Sequence, residues 1–232
     1  VGDVTQKGSI NVTGSESTIT NFIGAKLVAG GNVSVVDGNI TSSKVTLEAG
    51  KNVSVSGGDI NAANGTVTMQ ASADVSINGG SILAQVGNVN ITATQNVEQS
   101  NGSINVGAGS IVISAGDSVQ QSNGSMLAND GQINIRANNS ILLADGTMQA
   151  KDATLVAQKG YISENYDNSN TVINGYSLVI SNALTVAAGN ENNNAFTIDL
   201  GSRFNKLYDV VIGKANGDVL IGNGASGTDR LS

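Results

Sequence analysis

Acid–base, nucleophilic and metal chemistry draw on a short set of side chains, and this sequence is poor in them. Its 232 residues include no His and no Cys. That removes Ser-His-Asp and Cys-His arrangements and the usual zinc or iron ligands. The Asp and Glu carboxylates, 18 in number, remain. Sugar hydrolysis needs two of them across a cleft, yet Asp37, Asp59, Asp74, Glu98, Asp117, Asp130 and Asp145 occupy different turns of the pattern described below. Asp37 and Asp145 share a column but stand five repeats apart. Gly57-Gly58-Asp59 is the nearest approach to a calcium-binding Gly-Gly-x-Gly-x-Asp repeat, and it does not recur. We therefore expect no catalytic residue, no metal and no cofactor, and read the chain as not an enzyme. The candidates for ligand contact are Tyr161, Tyr166, Asp167, Tyr176 and Tyr208, in and around two long turns at 164–170 and 190–194. Six of the seven aromatic residues lie in this part, where plugging a widened core is the favoured reading over binding.

The elements that would position such residues come from an internal repeat. Gly58, Gly80, Gly102, Gly124 and Gly146 follow one another at 22 residues, with Gly38 leading by 20. Before each glycine stands Asp37, Gly57, Gly79, Asn101, Asn123 or Asp145, all types that tolerate positive φ. Two positions after it stands Ile or Met, from Ile40 to Met148. A second series runs through Val45, Val67, Val89, Ile111, Ile133 and Leu155, and a third through Val33, Val53, Val75, Val97, Val119 and Ile141. Within each third apolar and polar residues alternate, as in Val53-Ser54-Val55, which means a strand with one buried face.

Three short strands per 22 residues close one triangular rung, and rungs stack at about 4.8 Å. The expected fold is all-β, a right-handed parallel β-helix of about ten rungs and about 50 Å. Leu47, Met69, Ile91, Ile113 and Ile135 form one inward column, and Ala62, Ala84, Val106, Ala128 and Ala150 a narrower one. Gln99 and Gln121 interrupt a column of Val35, Val55, Ile77 and Leu143, and are read as a structural amide ladder.

Residues 1–24 hold an irregular start with an insertion between Ile10 and Gly24, against which Ile19 and Phe22 are available to pack. Residues 25–163 carry the regular repeats, and 164–232 continue them with longer loops, Leu178 and Val186 keeping an interval of 8, as do Val211 and Val219. Neither end offers a cap, so the chain reads as a segment of a longer protein.

Composition narrows the partners. The 11 Lys and Arg are scattered within a net charge of −7, with no basic stripe for nucleic acid or an anionic membrane. No apolar run is long enough for a membrane-spanning helix. Asn52-Val53-Ser54 and Asn101-Gly102-Ser103 fit the N-glycosylation triplet, as accidents of an Asn- and Ser-rich composition.

Val45-Thr-Leu-Glu-Ala-Gly-Lys-Asn-Val-Ser-Val-Ser-Gly-Gly-Asp-Ile60 and Ile111-Val-Ile-Ser-Ala-Gly-Asp-Ser-Val119 resemble the shaft repeats of filamentous-haemagglutinin-type exoproteins, large adhesins of the two-partner secretion route. The resemblance covers residues 25–163 well and the remainder loosely; the transporter-recognition segment of such proteins is not evident. It implies export through an outer-membrane transporter, display at the bacterial cell surface, and a role in attachment or biofilm formation. Exopolysaccharide or host glycan and lateral self-association are the partners to consider. The alternatives are a carbohydrate-active β-helix (a lyase, hydrolase or tailspike-like protein) with acids near Glu164, Asp167, Asp199 and Asp209, or the stalk of a contact-dependent toxin-delivery protein.

Overall fold

The computed structural model describes residues 24–160 throughout. It also describes strand segments before them (Val4–Gln6, Ile10–Thr13, Thr18–Asn21) and after them (Ile162–Glu164, Ser177–Ala188, Phe196–Asp199, Asp209–Ile212, Val219–Gly222, Thr228–Leu231). Every described element is a strand. No helix among the described residues is long and apolar enough to cross a membrane.

Residues 24–160 wind through about six turns of a parallel β-solenoid, whose rungs begin at Ala25, Val45, Val67, Val89, Ile111 and Ile133. Each rung has a first, a second and a third strand, exemplified by Val45–Ala49, Val53–Ser56 and Asp59–Ala62. Each strand pairs in parallel with its equivalents one rung away: Val67 with Val45 and Val89, Val75 with Val53 and Val97, Ile82 with Ile60 and Ile104. The described strands form one sheet of 15 and another of 11, the second strands making up the smaller. First and third strands share the larger because Ser125–Ala137, Thr147–Ala157 and Ser177–Ala188 run unbroken round the corner between them. The one antiparallel strand pair described is Val219–Gly222 with Thr228–Leu231.

The core follows the alternation. Val45, Leu47, Val53, Val55, Ile60 and Ala62 are fully buried, while Thr46, Ser54 and Asn61 point outward and keep partial exposure. Each buried Val, Leu or Ile contributes about 1.5–3 kcal/mol relative to exposure. The small-residue column from Ala62 to Ala150 is buried as expected, and Gln99 and Gln121 are Cα partners inside the solenoid.

Two columns differ from the sequence expectation. Ile133 pairs with Ala153, and Leu155 pairs with Ile135, so Leu155 belongs to the Leu47 column and not to the Val45 column. The cause is corner length. Four residues (129–132) separate Ala128 from Ile133, but only Lys151 and Asp152 separate Ala150 from Ala153. The interval of 8 between Leu178 and Val186 has the same origin. Leu178 pairs with Met148 on the third strand and Val186 with Leu155 on the first, one extra residue lying between them at a register shift. Val211 pairs with Thr185, and Val219 with Phe196. At the other end Ile10 aligns with Val33 and Ile19 with Ile40, which places two inserted residues between the second and third strands. Phe22 lies outside the described residues.

Candidate functional surface

Three corners join the strands, and polar side chains concentrate there. The first corner, before each second strand, carries an axial ladder. The Asn52 backbone N–H donates to Asn32 Oδ1 (3.1 Å), Asp74 N–H to Asn52 Oδ1 (3.0 Å) and Asn96 N–H to Asp74 Oδ1 (2.9 Å). Ser118 N–H continues it to Asn96 Oδ1 (3.2 Å) and Ser140 N–H to Ser118 Oγ (3.4 Å). Asn96 Nδ2 also donates to Asp74 Oδ1 at 3.1 Å. Each side-chain oxygen thus takes the place of a carbonyl for one N–H of the next rung, which a bending backbone would otherwise leave unpaired. The sequence expectation missed this ladder. Its signal is the short hydrogen-bonding residue directly before Val33, Val53, Val75, Val97, Val119 and Ile141. Asn52 is half-buried and its side-chain oxygen is engaged here; Asn101 is exposed.

At the second corner the structure bears out the positive-φ expectation at all six positions: Asp37 (53°), Gly57 (70°), Gly79 (75°), Asn101 (53°), Asn123 (50°) and Asp145 (45°). The glycine that follows is required for a different reason. A Cβ on Gly58 would stand 2.4 Å from Gly38 O and 2.8 Å from Val35 Cγ1, because successive corners stack backbone on backbone.

Gln99 belongs to this corner. Its Nε2 donates to Gly102 O and Ser125 O, both at 2.9 Å, and Gln121 Nε2 reaches Thr147 O at 3.4 Å. Gln99 Oε1 has no hydrogen-bond partner, so Gln121 does not donate to it. The expected amide-to-amide bond is therefore absent, and Gln99 instead holds main-chain carbonyls of the turn.

The remaining candidates, Tyr161, Tyr166, Asp167, Tyr176 and Tyr208, lie outside the described residues, as do the turns at 165–170 and 190–194. Backbone register places Asp199 beside Ser163 in the second-strand sheet and Asp209 beside Ala183 on a first strand, which are different faces. Among the described residues no group of three or more acidic side chains could hold a metal ion. One shallow depression of about 220 Å³, open to solvent, is lined by Val28, Ala29, Glu48, Ala49, Gly50, Gln70 and Ser72. Glu48 Oε1 is paired there with Lys26 Nζ at 3.0 Å, an exposed ion pair of the kind worth about 1 kcal/mol or less.

Fold and surface together define the class: a parallel β-solenoid with polar outer faces and hydrogen-bonded corners. No family model matches the chain, and no curated protein or solved structure does either.

Proposed function

We propose that this chain is a structural shaft segment of a secreted, cell-surface bacterial filamentous adhesin, serving cell–cell or cell–surface attachment or biofilm formation. The observation that supports it is axial continuity: backbone pairing on all three faces and a side-chain ladder at the first corner run in register from rung to rung. Such a stack has quasi-one-dimensional mechanics, in which each rung touches only its neighbours and added rungs add length. The likeness of residues 25–163 to filamentous-haemagglutinin shafts supplies the biological setting. In that setting an outer-membrane transporter exports the chain, and any glycan contact belongs to the less regular part after residue 164. The segment's own contribution is reach and stiffness, with no catalysis.

Single-molecule pulling from the two ends tests the mechanical part. Each rung of 22 residues should release about 75 Å of chain as it peels, in discrete repeated steps. A single release of the whole segment would overturn the rung-by-rung shaft.

A further inference from the structure

We infer that the first-strand face is a self-complementary surface on which two copies of this chain pair antiparallel, with a two-fold axis at the rung of Asn90 and Thr92. Each first strand points two side chains outward, so the face carries two axial columns. Along the column that starts at Val28, the residues on either side of Thr92 mirror one another in chemistry. Gln70 and Ser114 flank it, then Glu48 and Arg136, then Val28 and Val156.

A two-fold axis lying in the interface, parallel to the strands and level with Thr92, reverses the rods and lays this column on its own copy. Glu48 then faces Arg136 of the second copy at two symmetric places, and Val28 faces Val156. This is the residue-to-residue reciprocity an isologous contact requires. A parallel pairing, with the axis along the rod, would instead set Glu48 against Thr46 and Arg136 against Asn134. It brings no opposite charges together.

Charge singles out this face from the other two. Among the outward positions of the fully described rungs, the second face carries one charged residue, Glu98, and the third one, Asp59. The first face carries both signs, Lys26 beside Glu48 on adjacent rungs and Arg136 four rungs beyond Glu48. Arg136 is exposed, and so is Val112, at 37%. Seven strands at about 4.8 Å and five residues at about 3.3 Å give a face of roughly 550 Å². Two such faces bury about 1,100 Å², just above the roughly 1,000 Å² a specific contact needs. The pairing is therefore weak singly. It gains strength when shafts are held side by side, where a tethered partner is at high effective concentration. In that respect it rests on the shaft reading.

Sedimentation of the whole chain at low salt tests it. Parent protein should show a concentration-dependent dimer. Glu48→Arg sets Arg against Arg136, and Arg136→Glu sets Glu against Glu48; each should raise the dimer dissociation constant about tenfold or more. The double swap E48R/R136E should return it to within about threefold of the parent, while Glu98→Arg on the second face changes nothing. The native chain has no Cys, so single cysteines can map the register. With a short bis-maleimide, T92C should cross-link to its own copy, whereas T154C, whose mate lies six rungs away, should not. A parent that stays monomeric to millimolar concentration, a double swap that fails to restore the dimer, or T154C linking as fast as T92C overturns the pairing. Far-ultraviolet circular dichroism is read on every variant. A monomer with the β spectrum intact sinks the dimer and leaves the shaft, whereas a parent without that spectrum sinks both.

Discussion

The second and third corners of the rung answer the same geometric demand in opposite ways. In residues 24–160 the second corner always has two residues, and the first of them always has positive φ. The third corner has two residues in the rungs starting at Ala25 and Ile133 and four in those starting at Val45, Val67, Val89 and Ile111. A left-handed residue turns the chain sharply in a single fixed geometry, and the glycine after it stacks against the previous rung's backbone. No length but two satisfies both conditions. The third corner also stacks glycine on backbone, since a Cβ on Gly87 would stand 2.4 Å from Gly65 C, but no left-handed residue recurs there at each rung to fix its length. It is made by a strand that carries on round the edge or by a loop whose backbone bonds to the rung before, as Ala63 N–H does to Ser42 O at 2.8 Å. Rung length is set where the geometry is loose, and rung register where it is tight.

Removing two residues from each corner is the widest test of that contrast. Deleting Asn101 and Gly102 should cost more than about 5 kcal/mol in urea unfolding, beyond what an ordinary substitution does. It removes the turn and the Gly102 carbonyl that Gln99 holds. Next, Gly58→Ala puts a methyl 2.4 Å from Gly38 O and should cost about 3 kcal/mol. Gln99→Ala should cost about 2 kcal/mol, since it opens a cavity and removes both hydrogen bonds of Gln99 Nε2, while Gly102 O keeps the Ser125 N–H. Asn101→Val should cost about 1–2 kcal/mol for a β-branched residue held left-handed, and Asn101→Gly close to nothing. The smallest effect should come from deleting Asn64 and Gly65, which shortens a four-residue third corner to the length found after Ser42: about 1 kcal/mol or less. A deletion there as damaging as that of Asn101 and Gly102 would erase the distinction.

The same contrast explains what could be read from residues alone. The second corner is announced by residue type, since few side chains accept positive φ, so Asp37 through Asp145 were legible one by one. Val53, Ile60 and their repeats gave the faces because burial alternates strictly along a strand. Leu155 went to the wrong column because nothing in its type reports how many residues a loose corner holds, and a shortfall of two mimics a regular step. The first-corner ladder was visible as Asn32, Asn52, Asp74 and Asn96, but short polar residues are so common here that the column drew no notice. The repeat places Gln99 on the inward side, where it is buried. Its partners, main-chain carbonyls of the neighbouring corner, depend on side-chain reach that no repeat spacing encodes. The proposed function rests on the resemblance of the repeats, since a polar solenoid surface suits a spacer and a glycan-binding shaft equally well.

The central claim is that this segment supplies reach and not recognition. Binding of the purified chain to a panel of bacterial exopolysaccharides and host glycans tests it most directly, with a variant scrambled at 164–170 and 190–194 alongside. The account predicts no saturable binding by either protein while both keep their β spectrum. Saturable binding by the parent that is lost in the scrambled variant would contradict it and make the segment an adhesive site in its own right.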